Sequence, residues 1–197
     1  EVVIDFQYAT ASNFCDGLAK VGKVIDGTTK YGVIDKQGNI IVDLEYDDID
    51  SYNNNEIVSD GLILAKKDGK YGFLDEQGNT AIDFNYDNVK YFSEDLAAVE
   101  QNGKWGFIDK QGNAVIDFIY DDAGYFSEDL VAVKQNDKWG YINKNGEIII
   151  DFEYSQATSF KDGIAIVSSQ EEKCKLIDKS NTTKSSEYKA ISRPTDE

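Results

Sequence analysis

Residues 114–120 divide between two faces with a period of two. Ala114, Ile116, Phe118 and Tyr120 fall on one face, and Val115, Asp117 and Ile119 on the other, which predicts a half-buried β-strand. Upstream, residues 96–101 and 104–109 read as two more strands joined by Asn102-Gly103, a pair suited to a primed hairpin turn. Lys110-Gln111-Gly112-Asn113 is a second turn, in which Gly112, like Gly103, takes positive φ without steric cost. Residues 120–129 are polar apart from Tyr125-Phe126 and read as a connecting loop. The unit so defined is a three-stranded meander plus a loop, and no stretch reads as helix.

This unit recurs. Lys104-Trp105-Gly106-Phe107-Ile108-Asp109 has close copies in Tyr31-Gly32-Val33-Ile34-Asp35, Tyr71-Gly72-Phe73-Leu74-Asp75 and Trp139-Gly140-Tyr141-Ile142-Asn143, and a worn fifth in Cys174-Lys175-Leu176-Ile177-Asp178. The anchors Gly32, Gly72, Gly106 and Gly140 are 40, 34 and 34 residues apart, the mark of stacked supersecondary units. Asp5-Phe6-Gln7-Tyr8, Asp43-Leu44-Glu45-Tyr46, Asp83-Phe84-Asn85-Tyr86, Asp117-Phe118-Ile119-Tyr120 and Asp151-Phe152-Glu153-Tyr154 repeat in step. The 119-type site is Gln7, Glu45, Asn85, Ile119 and Glu153, so that face is mostly wet and the Phe/Tyr face is the expected core.

Two excesses interrupt the period. Residues 22–29 read as a lengthened turn and residues 52–61 as an Asn-rich insertion, both expected on the surface. The expected fold is all-β: about five three-stranded antiparallel meanders over residues 1–178, stacked into a curved, open, solenoid-like array, with a closed propeller-like ring as the alternative. Residues 179–197 read as cap and linker: Tyr188 and Ile191 suggest a degraded continuation, and 193–197 a linker.

The repeated residues invite structural readings first. A strand glycine costs roughly 0.5–1 kcal/mol against Ala, so its recurrence calls for an offset, and a ring of the Tyr120 or Phe126 type laid over it is the expected one. The ring before that glycine is Tyr, Tyr, Trp, Trp, so a planar group burying about 150–250 Å² matters and an indole N–H does not; the functional alternative is an aromatic row that stacks on sugars. Asp35, Asp75, Asp109, Asn143 and Asp178 close the second strand, where an Asx side chain caps turn N–H groups.

A second acidic row, Asp5, Asp43, Asp83, Asp117 and Asp151, lies on the wet side of the third strand, near Asp47, Asp48, Asp87, Asp121 and Asp122. Crowded carboxylates bind cations or find loop donors. Asp43, Asp83, Asp117 and Asp151 are therefore the candidate metal ligands, for weak calcium at most, since no segment has EF-hand or β-roll spacing.

Composition narrows the function classes. Lys and Arg number 20 against 37 Asp and Glu, a net charge of −17, which repels nucleic acid and anionic membranes. No apolar run approaches the roughly 18 residues of a membrane span. The start within a strand pattern and the lack of Met read as a fragment of a longer protein. Catalysis has little to work with: there is no His, no phosphate loop and no nucleophile elbow. Glu94-Asp95 and Glu128-Asp129 are copies of one loop position, whereas an acid–base pair needs two unlike environments. Cys15 and Cys174 are expected to be unpaired, and the chain to be a monomer without cofactors.

Residues 102–116, followed by Phe126-Ser127-Glu128-Asp129-Leu130-Val131-Ala132-Val133, resemble the WG-repeat family of bacterial proteins over about residues 1–178. Tyr for Trp in two copies, and Asp where many such repeats carry Pro before Phe-x-Tyr, are departures. The resemblance implies an all-β repeat scaffold, often secreted or surface-associated, with no typical enzymatic activity and no catalytic residues to carry over. An extracellular or cell-surface location is thus favoured over a cytoplasmic one. The expected function is a non-enzymatic binding or adaptor module meeting a protein or glycan partner on its concave face or inserted loops, with a structural spacer or a carbohydrate-binding module as alternatives.

Overall fold

A computed structural model describes residues 4, 7–51, 56–169, 173–183 and 188–189. Asp5, Phe6, residues 52–55 of the second insertion, Ile191 and the 193–197 linker lie outside the described residues. The chain forms two compact units: Glu1–Phe92 with Lys110–Gly112, and Ser93–Asp109 with Asn113–Glu197.

Unit 1 holds a sheet of β1 (Thr10–Ala11), β2 (Leu18–Ile25), β3 (Thr28–Asp35) and β4 (Ile40–Tyr46), in that order. Its second sheet is ordered β5 (Asp48–Ile49), β7 (Leu62–Lys67), β8 (Lys70–Asp75) and β9 (Thr80–Tyr86), with β6 (Val58–Ser59) also on β7; β10 (Asn88–Val89) follows. In unit 2, β11 (Ala97–Gln101), β12 (Lys104–Ile108) and β13 (Ala114–Tyr120) run side by side. The next sheet is β14 (Asp122–Ala123), β15 (Leu130–Gln135), β16 (Lys138–Asn143) and β17 (Ile148–Tyr154). The last is β18 (Gln156–Ala157), β19 (Ile164–Ser168), β20 (Lys173–Asp178) and β21 (Tyr188–Lys189). All pairings are antiparallel and none of these sheets closes into a barrel.

The expected meander is therefore present, but the "connecting loop" supplies a fourth strand. Asp122 and Ala123 pair with Lys134 and Val133 of the following repeat, and Gly124 N–H donates to the Ala132 carbonyl (2.8 Å). The loop then ends in a tight turn. Glu128 and Asp129 both have positive φ, and Ser127 bridges to Leu130. Asp16-Gly17, Asp60-Gly61, Glu94-Asp95 and Asp162-Gly163 repeat the conformation. A two-residue strand between polar residues carries too short an alternation to be read from sequence.

The hairpin turns are as expected: Asn102 and Gly103 are both left-handed, and so are Asn136 and Asp137 in the next repeat. Residues 22–29 are a correction. They form no lengthened turn; the strands themselves continue, with Ile25 opposite Thr28 around Asp26-Gly27.

The recurrent glycine has a different cause from the one expected. Trp105 pairs with Tyr120 and Phe107 with Ile116, so Gly106 alone faces the three residues 117–119 of a bulged neighbour. A Cβ at Gly106 would stand 2.7 Å from the Ile116 carbonyl oxygen and 3.0 Å from the Phe118 ring; at Gly140 it would stand 2.7 Å from the Ile150 carbonyl. Close backbone approach, not a Tyr120- or Phe126-type cover, excludes a side chain. Phe126 instead lies edge-on to Phe107 with ring centroids 5.1 Å apart, as Phe160 lies against Tyr141 at 4.9 Å and Phe92 against Phe73 at 5.1 Å.

The core lies between sheets. In unit 2, Leu96 and Ala98 of one sheet share a cluster with Val131 and Val133 of the next, and Leu130 and Ala132 share one with Ala165 and Val167 of the last. Third-strand residues are buried at Ile116 and Tyr120, half-buried at Phe118 and exposed at Ala114, Val115, Asp117 and Ile119, so the Phe/Tyr face is the core except at Ala114. The tail's Tyr188 pairs with Cys174, and Thr183 bridges to Ile177.

Candidate functional site: the repeat surface and its extended hairpin

The repeat surface carries several rows of chemistry, and the structure separates them. Asp43, Asp83, Asp117 and Asp151 sit exposed in the third-strand bulges. None makes a hydrogen bond or ion pair among the described residues, and no group of three or more His, Cys, Asp or Glu side chains there converges on a point that would hold a metal ion. Asp5 of this row lies outside the described residues.

The carboxylates that do find donors are the neighbouring ones. Lys30 Nζ donates to Asp47 Oδ1 (2.6 Å) and Gly69 N–H to Asp47 Oδ2 (2.9 Å). Two repeats later, Lys104 Nζ donates to Asp121 Oδ1 (2.5 Å) and Asn136 N–H to Asp121 Oδ2 (2.8 Å); Lys70 pairs with Asp87 likewise. The lysine hydrogen bond is the main cause that holds Asp47 and Asp121 below the usual carboxylate range.

The row that closes the second strand is engaged as well. Asp35 Oδ1 accepts from Gln37 N–H (2.9 Å) and Asn39 N–H (2.8 Å), and Asp75 and Asp178 repeat the pattern. Asn143 Oδ1 accepts from Asn145 and Glu147 N–H at 3.0 Å each, so an amide serves as well as a carboxylate. The Asn39 and Asn79 side-chain amides are the first cause of the lowered pKa of Asp35 and Asp75.

Glu94 and Glu128, weighed above as acid–base candidates, hold the next sheet in place. Glu94 accepts from Asp129 N–H (3.0 Å) and pairs with Lys144 (3.1 Å). Glu128 accepts from Gly163 N–H (3.1 Å) and pairs with Lys179 (3.2 Å). Within unit 1, Asp60 pairs with Lys110 (3.2 Å) in the same manner. Ser93 and Ser127 hydroxyls add bonds to the Phe126 and Phe160 carbonyls, both at 2.7 Å. Sequence spacing alone could have shown this row, because acid and lysine recur 50 or 51 residues apart.

The aromatic row is half-buried: Trp105 packs against one core cluster and Trp139 against another. Lys20 Nζ lies 4.4 Å from the Tyr31 ring centroid and Lys66 Nζ 4.8 Å from that of Tyr71, so cations already occupy faces on which a sugar would stack. Trp139 borders a cavity of about 340 Å³ with Thr158, Ile166, Ser168 and Cys174. Cys15 and Cys174 are free thiols.

What remains without an internal task is the extended β2–β3 hairpin. Val24 and Ile25 are 57% and 40% exposed at its tip, where the other hairpins carry Lys66-Lys67, Glu100-Gln101 and Lys134-Gln135. Gly22 sits at the base of the extension in close quarters with β1: a Cβ there would meet the Thr10 hydroxyl at 2.4 Å and the Tyr31 ring at 2.9 Å. Val24-Ile25 and Thr28-Thr29, β-branched on both sides of Asp26-Gly27, were the available sequence signal.

Comparison with known proteins agrees with this architecture. No curated protein matches the chain. Among solved structures, the computationally designed Ika8 protein matches at TM-score 0.51 and 14% identity, over 90% of this chain and 60% of that one. A eukaryotic initiation factor matches at TM-score 0.59 and 10% identity, over 91% and 55%, and apo AztD from Citrobacter koseri at 0.57 and 13%, over 94% and 59%. This chain thus spans about 60% or less of the length of these three proteins, and the likeness is one of fold. The WG containing repeat model matches residues 31–71, 71–105, 105–139 and 139–174 in tandem; with its glycine-anchored, bulged sheets, the chain belongs to the WG containing repeat family.

Proposed function

We propose that this chain is a non-enzymatic, protein-binding repeat module that meets its partner through the tip of the β2–β3 hairpin. The observation that carries the reading is the exposure of Val24 and Ile25, 57% and 40%, on a hairpin that only this repeat extends among the described residues. Apolar side chains held out at the tip of a paired ribbon gain burial by meeting a second molecule. The net charge of −17 favours a partner whose binding surface is basic around an apolar centre.

The same carboxylates that would serve an acid–base mechanism are engaged between sheets, which supports a scaffold over an enzyme. A carbohydrate-binding reading has less support, since Lys20 and Lys66 cover the Tyr31 and Tyr71 rings. A photo-crosslinking residue at position 24, with one at position 137 of the corresponding short hairpin as control, tests the proposal in cells that make the protein. Specific adducts at 24 and none at 137 are expected; equal labelling at both, or none at 24, contradicts it.

A further inference from the structure

We propose that the cavity between the first two sheets of unit 1 is a docking site for a lysine side chain of a partner protein. The inference rests on the reading of the chain as a protein-binding module, though not on the hairpin tip as the place of contact.

The other repeats show what belongs at this place. The residue after the turn-capping Asp or Asn is Lys110, Lys144 or Lys179. Its ammonium pairs with the loop acid of the preceding repeat: Asp60 at 3.2 Å, Glu94 at 3.1 Å and Glu128 at 3.2 Å. Between the first two sheets the loop acid is Asp16, but the lysine position holds Glu76. A second anion has replaced the cation. Among the described residues neither carboxylate has an ion-pair partner, and Glu76 has no hydrogen-bond partner; Asp16 accepts from the Cys15 thiol at 3.8 Å. Glu76 Oε1 lies beside Gly61, 3.9 Å from where a Cβ would stand. Gly61 holds the position of Asp129 and Gly163, whose N–H groups receive the acids of unit 2, so Glu76 stands where a junction gathers its charges.

The apolar part of the junction is reduced as well. The ring pairs of the other junctions become Val33 and Val58. Leu18 is only half-buried, whereas Leu62, Leu96 and Leu130 at its position are 7%, 8% and 6% exposed. The result is a cavity of about 480 Å³ lined by Leu18, Ile41 and Val58 together with Asp16, Glu76 and Gln77, within the roughly 300–1,000 Å³ of ligand pockets. Apolar walls beside two carboxylates match the two parts of a lysine. Its methylene stem lies along the first, and its ammonium, with three donors, meets the second. The net charge of −17 draws such a partner from a distance.

An NMR titration of the isotope-labelled whole chain tests this, with a peptide carrying one lysine between two leucines and with the same peptide acetylated on the lysine amine. The free lysine should give saturable shifts at the Asp16, Gly61 and Glu76 amides, and the acetylated one none. Asp16→Asn and Glu76→Gln should each weaken binding by about 1.5–5-fold, the range of a partly exposed ion pair. Glu76→Lys supplies the chain's own cation and should abolish binding, with the spectrum otherwise unchanged. Val24→Asp/Ile25→Asp should leave the titration as in wild type, which separates this site from the hairpin tip. The proposal is overturned by an absence of saturable shifts, by equal shifts from the acetylated peptide, by binding that survives Glu76→Lys, or by binding lost in the tip variant.

Discussion

The junctions between sheets in unit 2 and the junction between the first two sheets of unit 1 use the same positions with different residues. In unit 2, Phe126 meets Phe107 and Phe160 meets Tyr141, while Glu94 and Glu128 each reach a backbone N–H and a lysine of the following sheet. In unit 1 the residues at the ring positions are Val33 and Val58, and those at the charged positions are Asp16 and Glu76, two acids. Asp16, Glu76, Leu18 and Val58 line a cavity of about 480 Å³. The two sides of the comparison share a fold and differ in closure. The loosened junction belongs to the repeats that carry both insertions, so specialisation and loss of the standard contacts go together.

Breaking the tight junction should cost most. Phe126→Ala removes a fully buried ring and is expected to lower stability by about 3–5 kcal/mol in urea denaturation. Phe14→Ala, at the equivalent but exposed position, should cost less than about 1 kcal/mol. Gly106→Ala forces a Cβ against backbone that cannot rotate away, at a cost of about 2–3 kcal/mol; Lys175→Ala, at the same repeat position, should be near neutral.

Acid should loosen the contacts in both units. Asp35, Asp47, Asp75, Asp121 and Glu128 all have lowered pKa values in the folded state, from side-chain or backbone hydrogen bonds. A depressed folded pKa means that the folded state binds fewer protons, so the stabilisation is present above the unfolded-state values and is lost as pH falls through the folded ones. Tm should therefore hold from neutral pH to about pH 5 and fall progressively below about pH 4. A Tm that rises on acidification would contradict this linkage.

The smallest effects sharpen the contrast by repair. Asp137 takes φ 64° in a turn whose counterpart is Gly103, and Asp137→Gly should gain about 0.5–1 kcal/mol by relieving the left-handed conformation. Glu76→Lys places a lysine opposite Asp16, as Lys110 stands to Asp60, and should raise Tm by about 1–2 °C at low salt, less at high salt.

The period, the strand order and the buried face could be read from sequence because they rest on regular signals: glycine turns, two-residue alternation and the 34-residue step. The fourth strand could not, since Asp122 and Ala123 gain strand character only from Val133 and Lys134 of the next repeat. The cause of the glycine at Gly106 is hidden from sequence for a similar reason: the bulge at residues 117–119 is a property of pairing, and no single strand announces it. The acidic rows were visible as rows, but which carboxylates were bound depended on where lysines of other strands fell. Asp121 is held by Lys104, 17 residues away, whereas Asp117, only four residues before Asp121, has no such lysine among the described residues. At the candidate site the extra residues show in the sequence, but that they continue as paired strands and not as a turn is set by cross-strand pairing up to Ile25 and Thr28.

The Trp-Gly signature serves packing, and the proposed binding surface lies where one repeat departs from the rest. Partner crosslinking should therefore be compared between Val24→Asp/Ile25→Asp and Trp105→Tyr/Trp139→Tyr, with the crosslinking residue carried at Thr28 in both. The tip variant should lose its adducts while the tyrosine variant keeps them at the wild-type level, as Tyr31 and Tyr71 already stand in two repeats. Loss of adducts in the tyrosine variant with retention in the tip variant would contradict it.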